Sequence, residues 1–83
     1  MSLHGFSYRF IEANQNADPD LIGVQLGKYC IAKNISVVEA ADMFGVSKMT
    51  IYQWFVGNSR PHKSKAEKIK KVLTKAKFNN GKD

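Results

Sequence analysis

The sequence places a helix start signal at Ser36 and a helix stop signal at Gly45, which leaves room for only a short helix between them. Ser36 with Glu39 three residues later forms a capping box, in which each residue satisfies a free backbone N–H of the first turn. Gly45 can take a positive φ without a Cβ clash, so it ends the helix. We therefore predict a helix over 37–44. Because Ser47 is a favoured N-cap residue, the next helix must begin after a very tight turn.

This second helix is also short, since Gly57 and Pro61 end it. We predict that it covers 47–56. Two short helices joined by such a turn can cross steeply only with a small residue at the closest approach, glycine in the turn and apolar residues on the facing sides. The residues that meet these requirements are Ala41, Gly45, Val46, Ile51 and Trp54. The opposite face of the second helix then projects outward, where it can enter the DNA major groove, which is about 12 Å wide.

Further helices flank this pair. Asp18 and Pro19 are preferred at the cap and first position of a helix, and Asn34 suits a left-handed stop, so we predict a helix over 19–33. Apolar residues at helical spacing predict another over 62–77. The predicted fold is all-α, a compact bundle of about four to five helices.

The two ends of the chain are less constrained. Within 1–17 the aromatic residues alternate as in a strand, yet the stretch 8–13 fits one or two helical turns equally well. We leave this segment open as an N-terminal arm or a short extra element. Residues 79–83 are expected to form a flexible tail, so the globular domain is predicted to span 18–78.

Charge is distributed unevenly along the chain. Residues 1–43 carry three basic and five acidic side chains, a balance of −2, whereas residues 44–83 carry ten basic and two acidic, a balance of +8. A one-sided positive field attracts polyanions and accelerates their encounter. Nucleic acid is the first candidate partner, with a merely solvated lysine-rich surface as the alternative.

Several other function classes lack the residues that they require. Cys30 is the only cysteine, so the chain has no internal disulfide and no cysteine-based zinc site. We expect Cys30 to be a small buried apolar residue. We find no metal-ligand spacing, phosphate-binding glycine loop or nucleophile and base pair, and no apolar run approaches about 20 residues. We therefore expect a cytoplasmic protein that is not an enzyme, with no metal, cofactor, small-molecule ligand or membrane association.

A resemblance to a known family lies in residues 36–54, which read SVVEAADMFGVSKMTIYQW. This run resembles the helix-turn-helix of the lambda-repressor (Cro-like) family, and the spacing of Trp54, Gly57 and Pro61 matches the same family. The resemblance covers about residues 20–77. It implies a small phage or bacterial transcriptional regulator, typically a repressor, that binds double-stranded DNA. A homodimer, at least on DNA, and a location in a prokaryotic or phage-infected cell are implied as well.

The outward face of helix 47–56 and the loop after it supply the candidate DNA contacts. The Gln53 amide can pair bidentately with adenine, Lys48 can donate to guanine, and an apolar side chain can pack on a thymine methyl. The predicted base-contact residues are Lys48, Met49, Tyr52 and Gln53. The predicted phosphate-contact residues are Ser47, Thr50, Asn58, Arg60 and Lys63. For each of them the alternative is an ordinary solvated surface.

Two other interpretations stay open. Apolar residues on or beside the reading face favour a helix-turn-helix directed at a protein partner, such as a polymerase modulator or an antitoxin. In particular, Phe55 stands where many family members have Glu, and Cys30 where many have Arg, so we expect Phe55 to extend an apolar surface toward a partner. A sequence-neutral DNA binder would contact phosphates without discriminating bases.

Overall fold

The computed structural model describes residues 7–82, with side chains described for 7–75. Within that range the chain forms five helices and no strand, which confirms the all-α prediction. The helices are α1 (Tyr8–Asn16), α2 (Ile22–Lys33), α3 (Val37–Phe44), α4 (Lys48–Phe55) and α5 (Lys63–Lys82). The central helix is α2, which packs against α1, α4 and α5, while α3 packs against α4. None of the helices in the described part combines the length and apolarity that a membrane crossing requires.

The capping signals around α3 and α4 act as the sequence predicts. The hydroxyl of Ser36 accepts from the backbone N–H of Glu39, and the Glu39 carboxylate accepts from the backbone N–H of Ser36, both at 3.1 Å. Gly45 ends α3 with φ 65°, and the Ser47 hydroxyl caps α4 by accepting from the backbone N–H of Thr50 at 3.2 Å. Local caps therefore determine both ends of α3 and the start of α4.

The start of α2 differs from the prediction, because the helix begins at Ile22 and not at Pro19. The carboxylate of Asp18 accepts from the backbone N–H of Asp20 at 2.9 Å, which forms a local turn instead of a helix cap. Leu21 occupies the cap position without a side-chain hydrogen bond. The predicted end is confirmed, since Asn34 takes the left-handed conformation with φ 60°.

The two chain ends are more helical than the sequence indicates. The segment left open becomes α1, which Ser7 caps by accepting from the backbone N–H of Phe10 at 3.1 Å. Residues 1–6 of the predicted arm lie outside the described residues. At the other end α5 continues past the predicted boundary at 77, because no proline interrupts its hydrogen-bond ladder. The flexibility of 79–83 stays a prediction, and Asp83 lies outside the described part.

The core lies where α2, α3, α4 and α5 meet. Its buried members are Leu26, Cys30, Val37, Ala40, Ala41, Phe44, Ile51, Trp54, Phe55 and Ile69. The prediction that Cys30 is buried is confirmed, and burial, assisted by the negative charge of Glu39, raises the pKa of its thiol to about 12. The expectation that Phe55 faces a partner is wrong: this side chain is 0% exposed. Ile51, Trp54 and Phe55 share one side of α4 at helical spacing, and that side faces the core.

Candidate nucleic-acid interface

The turn between α3 and α4 sets the angle at which the second helix leaves the domain. Gly45 adopts the left-handed conformation, and the backbone N–H of Val46 donates to the carbonyl of Ala41 at 3.0 Å. Ala41, Ile51 and Trp54 are buried, and Val46 is half-buried against the same core. The structure thus brings together the five residues that the sequence assigns to the helix crossing.

A lysine of α5 forms a hydrogen bond with the end of α3, next to this turn. The ammonium of Lys65 donates to the carbonyl of Phe44, the last residue of α3, at 2.7 Å. A cation at a helix C-terminus satisfies a free carbonyl and complements the negative end of the helix dipole. The Lys68 ammonium lies 5.8 Å from the centroid of the same Phe44 ring. Sequence reasoning did not find the contact of Lys65, because nothing local in the sequence links two residues so far apart in the chain.

The four predicted base-contact residues lie along one outward side of α4. Lys48 and Tyr52, and likewise Met49 and Gln53, are one helical turn apart and therefore neighbours on the helix surface. Lys48, Met49 and Tyr52 are exposed, the last two by 66% and 39%, and Gln53 is half-buried. The Gln53 amide lies 3.8 Å from the Met49 sulfur. Long polar and apolar groups thus alternate over a face that does not contribute to the core.

The predicted phosphate-contact residues fall into two groups. Ser47 and Thr50 lie together at the N-terminus of α4, where their hydroxyl oxygens are 3.0 Å apart in a hydrogen bond. Asn58, Arg60 and Lys63 are exposed on the loop after α4 and at the start of α5. This loop folds back onto α4, since the backbone N–H of Asn58 donates to the carbonyl of Gln53 at 2.9 Å.

Two residues of α1 that the sequence did not single out also contact α4. The ring of Phe10 meets the ring of Tyr52 edge-on, with centroids 4.8 Å apart and planes at 89°. The side-chain amide of Asn14, 1% exposed, donates to the carbonyl of Phe55 at 2.7 Å and to that of Val24 at 3.2 Å. The sequence contains no pattern that pairs these positions, because α1 precedes α4 by most of the length of the domain.

The geometry offers a projecting helix followed by an exposed loop. Among the residues that the structure describes, no group of three or more His, Cys, Asp or Glu side chains is placed to hold a metal ion. Exposed lysines continue along α5 beyond the loop. They are Lys63, Lys68, Lys70, Lys71 and Lys75. The arrangement suits a polyanionic partner that is contacted by a helix face and a basic loop.

Comparison with protein families gives a match over most of this unit. A family model described as helix-turn-helix matches residues 26–75, which include all of α3 and α4 with parts of α2 and α5. Helix α1 lies outside the matched residues. Neither the curated proteins nor the solved structures include a match to the chain.

Proposed function

We propose that this chain, which belongs to the lambda-repressor/Cro-like helix-turn-helix family of DNA-binding regulators, is a sequence-specific transcriptional repressor. In this proposal α4 reads the major groove. One observation carries the proposal. The outward side of α4 presents Lys48, Met49, Tyr52 and Gln53, while its inward side anchors the helix in the core.

Base discrimination is assigned first to Gln53 and Lys48. A glutamine amide can donate to and accept from adenine at once, and a lysine can donate to the acceptors of guanine. The Gln53 amide lies 3.8 Å from the Met49 sulfur, so the two side chains are neighbours on this face. Met49 and Tyr52 supply apolar surface for a thymine methyl, which only the major groove displays.

Orientation on the duplex is assigned to the phosphate-contact residues. Arg60 and Asn58 are exposed on the loop that follows α4, and Lys63 is exposed at the start of α5. Contacts of this kind fix the register of a protein on DNA but carry no sequence information. The hydroxyls of Ser47 and Thr50 share a hydrogen bond, and the Ser47 hydroxyl caps α4. We assign both hydroxyls to phosphate contact at this end of the helix.

The proposed functional unit is a homodimer on a palindromic operator. Two copies related by a two-fold axis place their α4 helices on half-sites about 34 Å apart, one turn of duplex. We propose that the protein concentration itself sets operator occupancy. Saturable binding of a small effector by the purified protein would contradict this mode of control.

A selection from a random duplex library with the purified protein tests the function. We expect a palindromic consensus with half-sites one duplex turn apart. Gln53→Ala should weaken binding to the consensus by about 5- to 150-fold, equivalent to roughly 1–3 kcal/mol for one bidentate base contact. The control is Gln15→Ala, an exposed glutamine on α1, which should bind as the wild type does. Equal effects of the two substitutions would exclude Gln53 from base reading.

A second candidate function is binding of a protein partner through the same face. The exposure of Met49 and Tyr52 favours it, because apolar side chains at the surface suit a protein contact. The burial of Phe55 removes one of the residues that the sequence offered for such a surface. Failure of the selection, with no duplex bound at low salt, would favour this second function.

A further inference from the structure

We propose that α1 positions the recognition helix α4 for base reading, with Phe10 holding Tyr52 and Asn14 holding the C-terminal end of α4. The inference rests on the proposed function, and it assigns a role to a helix outside the family match at 26–75. It is carried by one ring contact and one buried pair of hydrogen bonds.

The ring contact restrains a side chain on the reading face. Phe10 meets Tyr52 edge-on at 4.8 Å, and its ring also lies 6.0 Å from that of the fully buried Phe55. Phe10 therefore connects the core to a tyrosine that is still 39% exposed. One side of the Tyr52 ring is held in place while the remainder stays accessible to a partner.

The hydrogen bonds restrain the helix backbone. Phe55 is the last residue of α4, and the last four carbonyls of a helix have no partner within it. Asn14 donates to the Phe55 carbonyl at 2.7 Å, and the same amide group donates to the carbonyl of Val24, in the first turn of α2, at 3.2 Å. With 1% exposure, Asn14 makes these bonds away from competing water. The amide thus ties the end of α4 to both α1 and α2.

The two restraints act on different parts of α4. Phe10 and Asn14 are one turn apart on α1, and their partners Tyr52 and Phe55 are almost one turn apart on α4. The two separated contacts add to the packing of Ile51 and Trp54 in the core, and together they limit both rotation and sliding of α4. Base reading by bidentate side chains needs positions held to within about 0.5 Å. Loosening α4 should therefore reduce specific binding more than nonspecific binding.

The test compares affinities for the selected duplex and for a scrambled duplex in Phe10→Leu. If Phe10 positions Tyr52, the ratio of the two affinities should fall by about 2- to 10-fold, as expected for loss of an aromatic pair. A merely structural role would lower the folded fraction and so reduce both affinities by the same factor. Ile11→Val is the control on the same helix: Ile11 lines a cavity with Ile31 of α2, and its truncation should leave the ratio unchanged.

A double-mutant cycle with Tyr52→Leu identifies the route of the effect. If Phe10 acts through Tyr52, Phe10→Leu should change the ratio no further in the Tyr52→Leu background, and independent effects would overturn the proposal. Phe10→Met serves the same comparisons if Phe10→Leu does not fold. If the wild type discriminates between the two duplexes and Phe10→Leu has the same affinity ratio, only the proposed role of α1 is contradicted. A wild type that binds both duplexes equally contradicts the proposed function and this role together.

Discussion

At the scale of single residues, the burial of Cys30 and Phe55 removes both side chains from the surface. Both are 0% exposed, in one apolar core. The burial of Cys30 was predictable, because an isolated cysteine between apolar neighbours is usually a small buried residue. That of Phe55 was missed, although Phe55 shares helical spacing with Ile51 and Trp54, because the resemblance suggested an exposed polar position there.

The buried thiol should make stability depend on alkaline pH. Its pKa is raised from 9.0 to about 12 in the folded protein, so the unfolded chain releases this proton first. The contribution of the neutral thiol to the free energy of unfolding is fully present below pH 9 and is lost as the pH rises toward 12. We expect the free energy of unfolding of the wild type to fall by up to about 1.4 kcal/mol per pH unit more steeply than that of Cys30→Ala. Denaturant unfolding across this range measures it, and parallel curves would contradict the buried, neutral thiol.

Asn14→Ala should remove the side-chain amide that donates to the carbonyls of Phe55 and Val24. Each hydrogen bond contributes about 0.5–1.5 kcal/mol, so we expect the loss of both to lower the free energy of unfolding by about 1–3 kcal/mol. Asn16→Ala, an exposed asparagine on the same helix, should change stability by no more than about 0.5 kcal/mol. Urea unfolding of the two variants gives the comparison; similar midpoints would mean that water replaces the amide.

At the scale of helices, the parts of the fold that could be predicted are those governed by local caps. Ser36, Gly45 and Ser47 determine α3 and the start of α4 through contacts within a few residues. The start of α2 could not be read correctly, since Asp18 forms a turn with Asp20 instead of capping a helix. The contact of Lys65 with α3 joins distant segments, so local patterns contain no sign of it.

Removing that lysine contact should loosen the helix-turn-helix. Lys65→Met keeps the apolar stem but loses the donor to the Phe44 carbonyl. Because Lys65 is only half-buried, we expect a loss of about 1 kcal/mol in the free energy of unfolding. Lys70→Met, an exposed lysine on α5, is the control and should have little effect. Equal unfolding midpoints for the two variants would show that solvent replaces the bond.

The contact between α2 and α4 depends on a position without a side chain. A Cβ at Gly23 would lie 2.7 Å from the carbonyl oxygen of Trp54. Alanine normally stabilises a helix interior by roughly 0.5–1 kcal/mol over glycine, but here we expect Gly23→Ala to destabilise by about 1–3 kcal/mol. Ala32→Gly, at an exposed position of α2, measures the difference in helix propensity alone. It should lower the free energy of unfolding by less than Gly23→Ala does. Thermal unfolding measures both effects. A Gly23→Ala variant with a higher melting temperature than the wild type would contradict the close packing.

At the scale of the whole molecule, a compact helical domain carries its charge asymmetrically. The family match covers the helix-turn-helix, and α1 adds contacts to its second helix, α4. The candidate DNA-contacting residues could be selected from the sequence because the resemblance and the helix spacing both assign them to one side of α4. The α1 contacts could not, since they depend on tertiary packing. The +8 balance of residues 44–83 supports a polyanionic partner but cannot by itself produce sequence specificity.

The most direct test of sequence-specific DNA binding is the affinity for the selected duplex against its scrambled counterpart, measured at two salt concentrations. We expect the protein to bind the selected duplex about a thousandfold more tightly than the scrambled one, or more tightly still. Both affinities should weaken as salt rises, because each phosphate contact releases a counterion. Equal affinities for the two duplexes at both salt concentrations would contradict sequence-specific reading by α4.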